Sequence, residues 1–189
     1  NELKPTVVER NRKNEFDLDL YPKFGSLGVL GQTVKTHGGS GTSNLAYGLV
    51  AYEFEKIDSS YRSSISVQSS LVIHPINEFG SKEQKDKYLP QLIKGEKIGC
   101  FGLTESEAGS DPASMKTSFK KTKDGYILNG SKNWITNAPI ADIFIIWAIE
   151  ENKDHKSIKG FIIEKNTEGL NTSTIENKTS LKISPTGQI

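Results

Sequence analysis

The sequence predicts an α+β chain of two domains, helices first and strands after, with the change near residue 98. Apolar residues recur at helical spacing before that point. Short runs with strand-like alternation, separated by turn signals, follow it. Helices grouped before strands fit separate domains and not a doubly wound parallel sheet. The reading places the first domain at 1–98 and the second at 99–189.

Each element has a local cause. Leu45, Ala46, Leu49, Val50, Phe54 and Ile57 form one apolar stripe, with Thr42 or Ser43 as N-cap. A second helix starts near Asp58 or Ser59 and runs through Arg62, Ser66 and Ser69 toward Ile73. Gly80 is placed to end a helix, and Ser81 with Gln84 makes a capping box for the next. That helix turns Tyr88, Leu89 and Leu92 inward and stops near Gly95, with a break or kink expected at Pro90.

Strands are expected at Ile98–Leu103, Tyr126–Asn129, Ser131–Thr136, Ile143–Glu150 and Lys159–Glu164. Met115, Thr117 and Phe119 alternate with Lys116, Ser118 and Lys120, as in a half-buried strand. Lys123-Asp-Gly125 signals a hairpin turn, and Asn129-Gly130 a turn or bulge. Glu150 to Lys159 reads as a solvated hairpin loop.

Composition excludes several functions. There are 24 Lys plus Arg against 23 Asp plus Glu, so a concentrated basic face for nucleic acid is not expected. No apolar run reaches the roughly 18 residues of a membrane span, so no membrane insertion is expected. Cys100 is the one cysteine, which excludes an internal disulfide and cysteine-cluster zinc. It starts an apolar strand and reads as a buried, inert thiol. His74, before Pro75, reads as packed or hydrogen-bonded. The glycines at 25, 28 and 31 and at 38, 39 and 41 lack dinucleotide-loop spacing and read as helix ends and a turn.

Two stretches carry more chemistry. Thr104, Glu105, Ser106, Gly109, Ser110 and Asp111 crowd hydroxyls and amides after a strand. Such a loop can turn several donors toward one polar ligand, though an ordinary connection fits equally well. Trp134 and Thr136 are expected on one face of a strand, suited to packing and hydrogen-bonding a planar heterocycle. A core tryptophan beside a surface threonine is the plainer alternative.

Together and in order, Phe101-Gly-Leu-Thr-Glu105 through Gly109-Ser-Asp-Pro112, then Leu128-Asn-Gly-Ser-Lys-Asn-Trp-Ile-Thr-Asn137, resemble the acyl-CoA dehydrogenase family. Upstream, Tyr61-Arg-Ser-Ser-Ile-Ser-Val-Gln-Ser-Ser70, His74-Pro75 and Gly80-Ser-Lys-Glu-Gln-Lys-Asp-Lys-Tyr-Leu-Pro90 look like its glutaryl-CoA dehydrogenase branch. The resemblance runs through essentially the whole chain. It implies a helical N-terminal domain and a β-barrel-like middle domain, both cut short, with the family's C-terminal helical domain absent.

The resemblance also implies FAD as cofactor. Phe101, Leu103 and Thr104 would line the flavin pyrimidine side. Gly109 and Ser110 would sit by flavin and thioester, and Trp134, Ile135 and Thr136 would flank the ring, with the Thr136 hydroxyl near N5. Glu55, Arg62, Ser63, Ser66 and Ser110 would contact the acyl-CoA. On a helix, Arg62 and Ser66 share a face, and Arg can grip a carboxylate through two parallel hydrogen bonds. Without the resemblance, Arg62 reads as a surface residue paired with Glu55.

In the glutaryl-CoA branch the trio matching Glu55, Arg62 and Ser66 receives the distal carboxylate, and the product is crotonyl-CoA after loss of carbon dioxide. Electron-transfer flavoprotein as electron acceptor and a full-length homotetramer are further implications. The family's catalytic base is a glutamate of the C-terminal domain, and neither Glu105 nor Glu107 matches its position. The isolated chain is therefore expected to turn over nothing and to hold flavin poorly. The alternatives are a short-chain dehydrogenase with Arg62 merely structural, a related oxidase or monooxygenase, and a non-catalytic flavin- and CoA-binding protein ending at Ile189. A bacterial source would place it in the cytoplasm and a eukaryotic one in the mitochondrial matrix.

Overall fold

The computed structural model describes residues 2–189. Six α-helices come first: α1 (Val7–Lys13), α2 (Leu20–Ser26), α3 (Asn44–Glu55), α4 (Ser59–Ser66), α5 (His74–Phe79) and α6 (Lys82–Ile93). Eight strands follow: β1 (Gly99–Gly102), β2 (Ser118–Lys121), β3 (Tyr126–Asn129), β4 (Ile135–Thr136), β5 (Ile143–Glu150), β6 (Lys159–Glu164), β7 (Ser173–Thr174) and β8 (Thr186–Gln188).

Capping decides where the longer helices begin. Ser43 accepts the Ala46 N–H at the start of α3, and Asp58 accepts the Ser60 N–H at the start of α4. Ser81 and Gln84 form the reciprocal capping box of α6. Contrary to expectation, α6 runs unbroken past Pro90. Proline forfeits a single backbone donor there, while Leu89 and Leu92, on the inward side, are fully buried.

The second helix is longer than its sequence suggests. α4 passes into a π-helical segment, Val67–Ile73, and then directly into α5, where Pro75 sits in the first turn. His74 is exposed on this rod and makes no side-chain hydrogen bond among the described residues, so it is not packed as expected. The α3 stripe also divides. Val50, Phe54 and Ile57 are partly buried, but Leu45 and Leu49 remain exposed. One helix face cannot turn all six apolar residues onto a core that meets only part of it.

The helical core gathers Tyr21, Tyr61, Leu30, Ile73, Leu89 and Leu92, all buried. Side chains of this size each contribute about 1.5–3 kcal/mol when fully buried. The core continues across the domain boundary to Ile143 and Ile145 of β5.

The strands build a five-stranded mixed sheet and a separate antiparallel sheet ordered β4-β8-β7. In the larger sheet β5 is central. It pairs in parallel with β1 (Gly99 opposite Ile143) and with β2 (Ser118 opposite Ile149), and antiparallel with β6. β2 and β3 form the expected hairpin. Met115, Thr117 and Phe119 are buried while Lys116 and Lys120 are exposed, as alternation requires, and the pattern ends at the exposed Lys121. Gly130, at the expected bulge, has φ +149°, and a Cβ there would lie 2.6 Å from the Thr117 backbone.

Gln68, in the π segment, ties the domains together. Its amide donates to the carbonyls of Leu92 and Lys97, and its carbonyl accepts the Gly99 N–H at 2.8 Å. Val72 packs so closely on β1 that a Cβ at Gly99 would come within 2.5 Å of it.

Candidate functional site

The first candidate segment follows β1. Phe101 is partly buried and meets Trp147 edge-on at 5.9 Å, and Leu103 and Thr104 are also partly buried. Gly109 and Ser110 are exposed. Glu105 holds this loop in place. Its carboxylate accepts the backbone N–H groups of Lys116 (2.7 Å) and Thr117 (2.9 Å) and the Lys132 ammonium (2.8 Å). Burial would raise its pKa, but hydrogen bonds from Lys132, Thr117 and Lys116 outweigh that and hold it down to about 2. Glu105 is thus a fixed anion built into the loop.

Lys132 connects the second segment to the first. Its side chain is only 1% exposed, and Nζ donates to Glu105 and to the Leu103 carbonyl at 3.0 Å. The Asn133 N–H donates to the Thr104 carbonyl at 2.9 Å. The residues from 101 to 110 and from 131 to 137 are therefore one hydrogen-bonded unit. Lys132 carries no mark of this role in the sequence, because a lysine in the expected strand Ser131–Thr136 reads as solvent-facing unless a partner carboxylate from another segment is known.

The second segment corrects an expectation. Regular strand covers only Ile135–Thr136, and Trp134 precedes it with φ +60°. Strand alternation therefore does not apply to Trp134, and it does not share a face with Thr136 by that rule. A bulky residue in the left-handed region is uncommon and strained. The Asn133 side chain supports the conformation by accepting the Trp134 N–H at 3.0 Å. The result leaves the indole 59% exposed and Thr136 partly buried, while the Ile135 side chain is buried in the second core.

The other candidate cluster lies on α3 and α4. Arg62 Nε donates to Glu55 Oε2 at 2.7 Å, and Ser59 donates to the other carboxylate oxygen. Hydrogen bonds from Arg62 and then Ser59 lower the Glu55 pKa. Glu55 thus aligns the guanidinium through Nε. The two terminal nitrogens make no hydrogen bond among the described residues and point to capacity for a further acceptor. Ser66 stands one turn along α4 from Arg62, and Ser63 beside it is also partly buried. The structure therefore unites Glu55 with Arg62 directly and puts Ser66 on the same helix face.

Cys100 is fully buried, and burial pushes its thiol pKa up, which removes it as a nucleophile. No described helix is long and apolar enough to cross a membrane.

A mixed-sheet domain follows a helical one, and an exposed tryptophan with a positive φ stands next to a hydroxyl-rich loop anchored by Glu105 and Lys132. Residues 1–96 match the family described as "Acyl-CoA dehydrogenase, N-terminal domain", and residues 100–189 match "Acyl-CoA dehydrogenase, middle domain". The chain belongs to the acyl-CoA dehydrogenase family.

A short-chain-specific acyl-CoA dehydrogenase of Clostridium acetobutylicum is 38% identical over 191 residues, covering 100% of this chain and 50% of that protein. The structure of a glutaryl-CoA dehydrogenase from Mycobacterium smegmatis in complex with FADH2 superposes with a TM-score of 0.94 at 41% identity, covering 98% of this chain and 47% of that one. Butyryl-CoA dehydrogenase from Megasphaera elsdenii gives 0.90 at 38% identity, covering 100% and 51%. The chain spans about half the length of these relatives.

Proposed function

We propose that this chain is the N-terminal and middle part, divided between residues 98 and 99, of an FAD-dependent dehydrogenase acting on glutaryl-CoA. The Glu55–Arg62 pair carries the reading: it fixes a guanidinium by one nitrogen and leaves its two terminal donors for a carboxylate. The substrate's distal carboxylate would take those donors, with Ser63 and Ser66 beside them.

The residues around Trp134 fit a flavin. An exposed indole supplies a flat apolar surface, and the Thr104, Ser110 and Thr136 hydroxyls supply polar contacts on a loop that Glu105 and Lys132 hold rigid. Phe101, Leu103, Thr104, Gly109, Ser110, Trp134, Ile135 and Thr136 would hold FAD, the buried Ile135 through its backbone. When bound, FAD supplies the acceptor for a hydride from the substrate β-carbon. Ser110 would also meet the thioester, and Thr136 would hydrogen-bond the ring edge, favouring the more negative reduced state. Arg62 fixes the substrate's far end and so aligns its α- and β-carbons.

The proton leaves the α-carbon to a glutamate outside these residues. The dehydrogenated acid then loses its distal carboxylate as carbon dioxide, the γ-carbon takes up a proton in its place, and crotonyl-CoA remains. The 189-residue chain alone would neither turn over nor hold FAD firmly. The full-length enzyme would work as a homotetramer and pass electrons to an electron-transfer flavoprotein. It would do so in the cytoplasm of a bacterium or in the mitochondrial matrix of a eukaryote.

The 38% identity to a short-chain-specific relative supports a second reading, dehydrogenation without decarboxylation. Product analysis separates the two. Full-length protein given glutaryl-CoA and an artificial electron acceptor should release crotonyl-CoA and carbon dioxide in equal amounts. Turnover of butyryl-CoA with none of glutaryl-CoA favours the second reading.

A further inference from the structure

Lys178 is a partly buried cation that the chemistry described above leaves unused. Its Nζ donates to the Ser184 carbonyl and, at 3.0 Å, to the Thr186 hydroxyl. Ser184 and Thr186 are both buried, and the Thr186 hydroxyl donates to the same Ser184 carbonyl at 3.2 Å. Both acceptors of the ammonium are neutral. Burial pushes the amine below the usual lysine range, with no pairing carboxylate among the described residues to oppose it. Lys132 provides the contrast. Glu105 lies 2.8 Å from its ammonium and cancels the charge. The charge of Lys178 is left standing.

The small sheet decides where that charge acts. Thr186 of β8 stands directly opposite Thr136 of β4 in the antiparallel ladder, and Gly187 stands opposite Ile135. Directly opposed residues share a face of a sheet, with Cβ atoms about 4.5–5.5 Å apart. The register is secured next door, where the Asn137 N–H donates to the Pro185 carbonyl at 2.6 Å. The ammonium bonded to Thr186 therefore lies on the face that Thr136 shares, within one side chain of it.

We propose that Lys178 is a positioning residue for the flavin, holding an uncompensated positive charge against Thr186, on the face of the sheet that carries Thr136, so as to favour the reduced ring. The proposal rests on the reading that FAD binds at Thr136. Hydride uptake leaves the ring richer in electrons, and a fixed cation nearby stabilises that state. A partly buried charge is also screened by salt much less than one at the surface. Lys178 touches neither substrate nor flavin in this account. It acts through its field and through Thr186.

The test is the midpoint potential of the flavin in the FAD-loaded full-length protein, measured by reductive titration against a reference dye. No acyl-CoA is present, so the identity of the substrate does not enter. Lys178→Met keeps the apolar stem and removes the charge. It should disfavour the reduced flavin about tenfold, which lowers the potential of a two-electron couple by about 30 mV. Lys178→Arg keeps the charge and should stay near wild type. Lys178→Gln serves as the uncharged variant if Lys178→Met does not fold. Thr136→Val removes a single hydroxyl and reports on the flavin placement by itself. A shifted potential in Thr136→Val with an unshifted one in Lys178→Met overturns the role of Lys178 and leaves the flavin site standing. Unshifted potentials in both overturn the flavin placement and the Lys178 role with it. A lower melting temperature of the Lys178→Met apoprotein with an unchanged potential in the loaded protein marks a purely structural lysine and also overturns the proposal.

Discussion

Lys132 Nζ lies 2.8 Å from Glu105 Oε1, and this buried ion pair joins the two segments proposed to hold the flavin. Lys132→Met keeps the apolar stem but strips the Glu105 carboxylate of its counter-ion. Breaking a buried pair on one side costs about 3–5 kcal/mol. A lowered melting temperature with loss of copurifying FAD is the expected result in the full-length protein. A variant as stable as wild type would show the pair to be dispensable.

The same carboxylate sets an acid limit. Its folded pKa of about 2 lies below the ordinary 4.5. A depressed carboxylate contributes stability that is complete above pH 4.5 and is lost as pH falls toward 2. Carboxyl NMR of the folded protein should therefore show Glu105 titrating near pH 2, with stability falling across that window. A midpoint at the ordinary value would contradict the buried pairing.

Trp134 combines an exposed indole with a φ of +60°. Trp134→Gly relieves left-handed strain of about 1–2 kcal/mol and gives up little burial. The apoprotein should melt no lower than wild type, while fluorescence titration shows FAD affinity reduced about tenfold, the equivalent of 1.4 kcal/mol. A lower melting temperature would mean that the indole is structural.

Gln68→Leu tests the domain joint. It leaves the Gly99 N–H and the Leu92 and Lys97 carbonyls without their Gln68 contacts. A buried group left unpaired costs about 1–3 kcal/mol, so urea unfolding should show a loss of at least about 3 kcal/mol.

How much was legible in the sequence depended on whether the signal was local. Ser43, Asp58 and the Ser81–Gln84 box act within one helical turn, so the starts of α3, α4 and α6 could be read directly. The β2–β3 hairpin was legible for the same reason. The parallel pairing of β1 and β2 with β5 was not, because it joins strands distant in the chain. The π segment and Gln68 were hidden inside a run that reads as ordinary helix.

At the candidate site, the Glu55–Arg62 pairing was legible from opposite charges close in the chain and from the family resemblance. The left-handed Trp134 did not, since nothing in Asn133-Trp-Ile135 marks a reversal of φ before a strand. Lys132 was missed because burial of a lysine depends on a carboxylate supplied from another segment.

The central claim is that Arg62 reads a substrate carboxylate. The most direct measurement is anaerobic flavin bleaching in the FAD-loaded full-length protein, wild type against Arg62→Ala, with glutaryl-CoA and butyryl-CoA in parallel. A charge-assisted hydrogen bond contributes about 1.5–3 kcal/mol, so the variant should lose at least about tenfold on glutaryl-CoA and almost nothing on butyryl-CoA. Equal rates for wild type and variant on glutaryl-CoA, or a wild-type preference for butyryl-CoA, would contradict it.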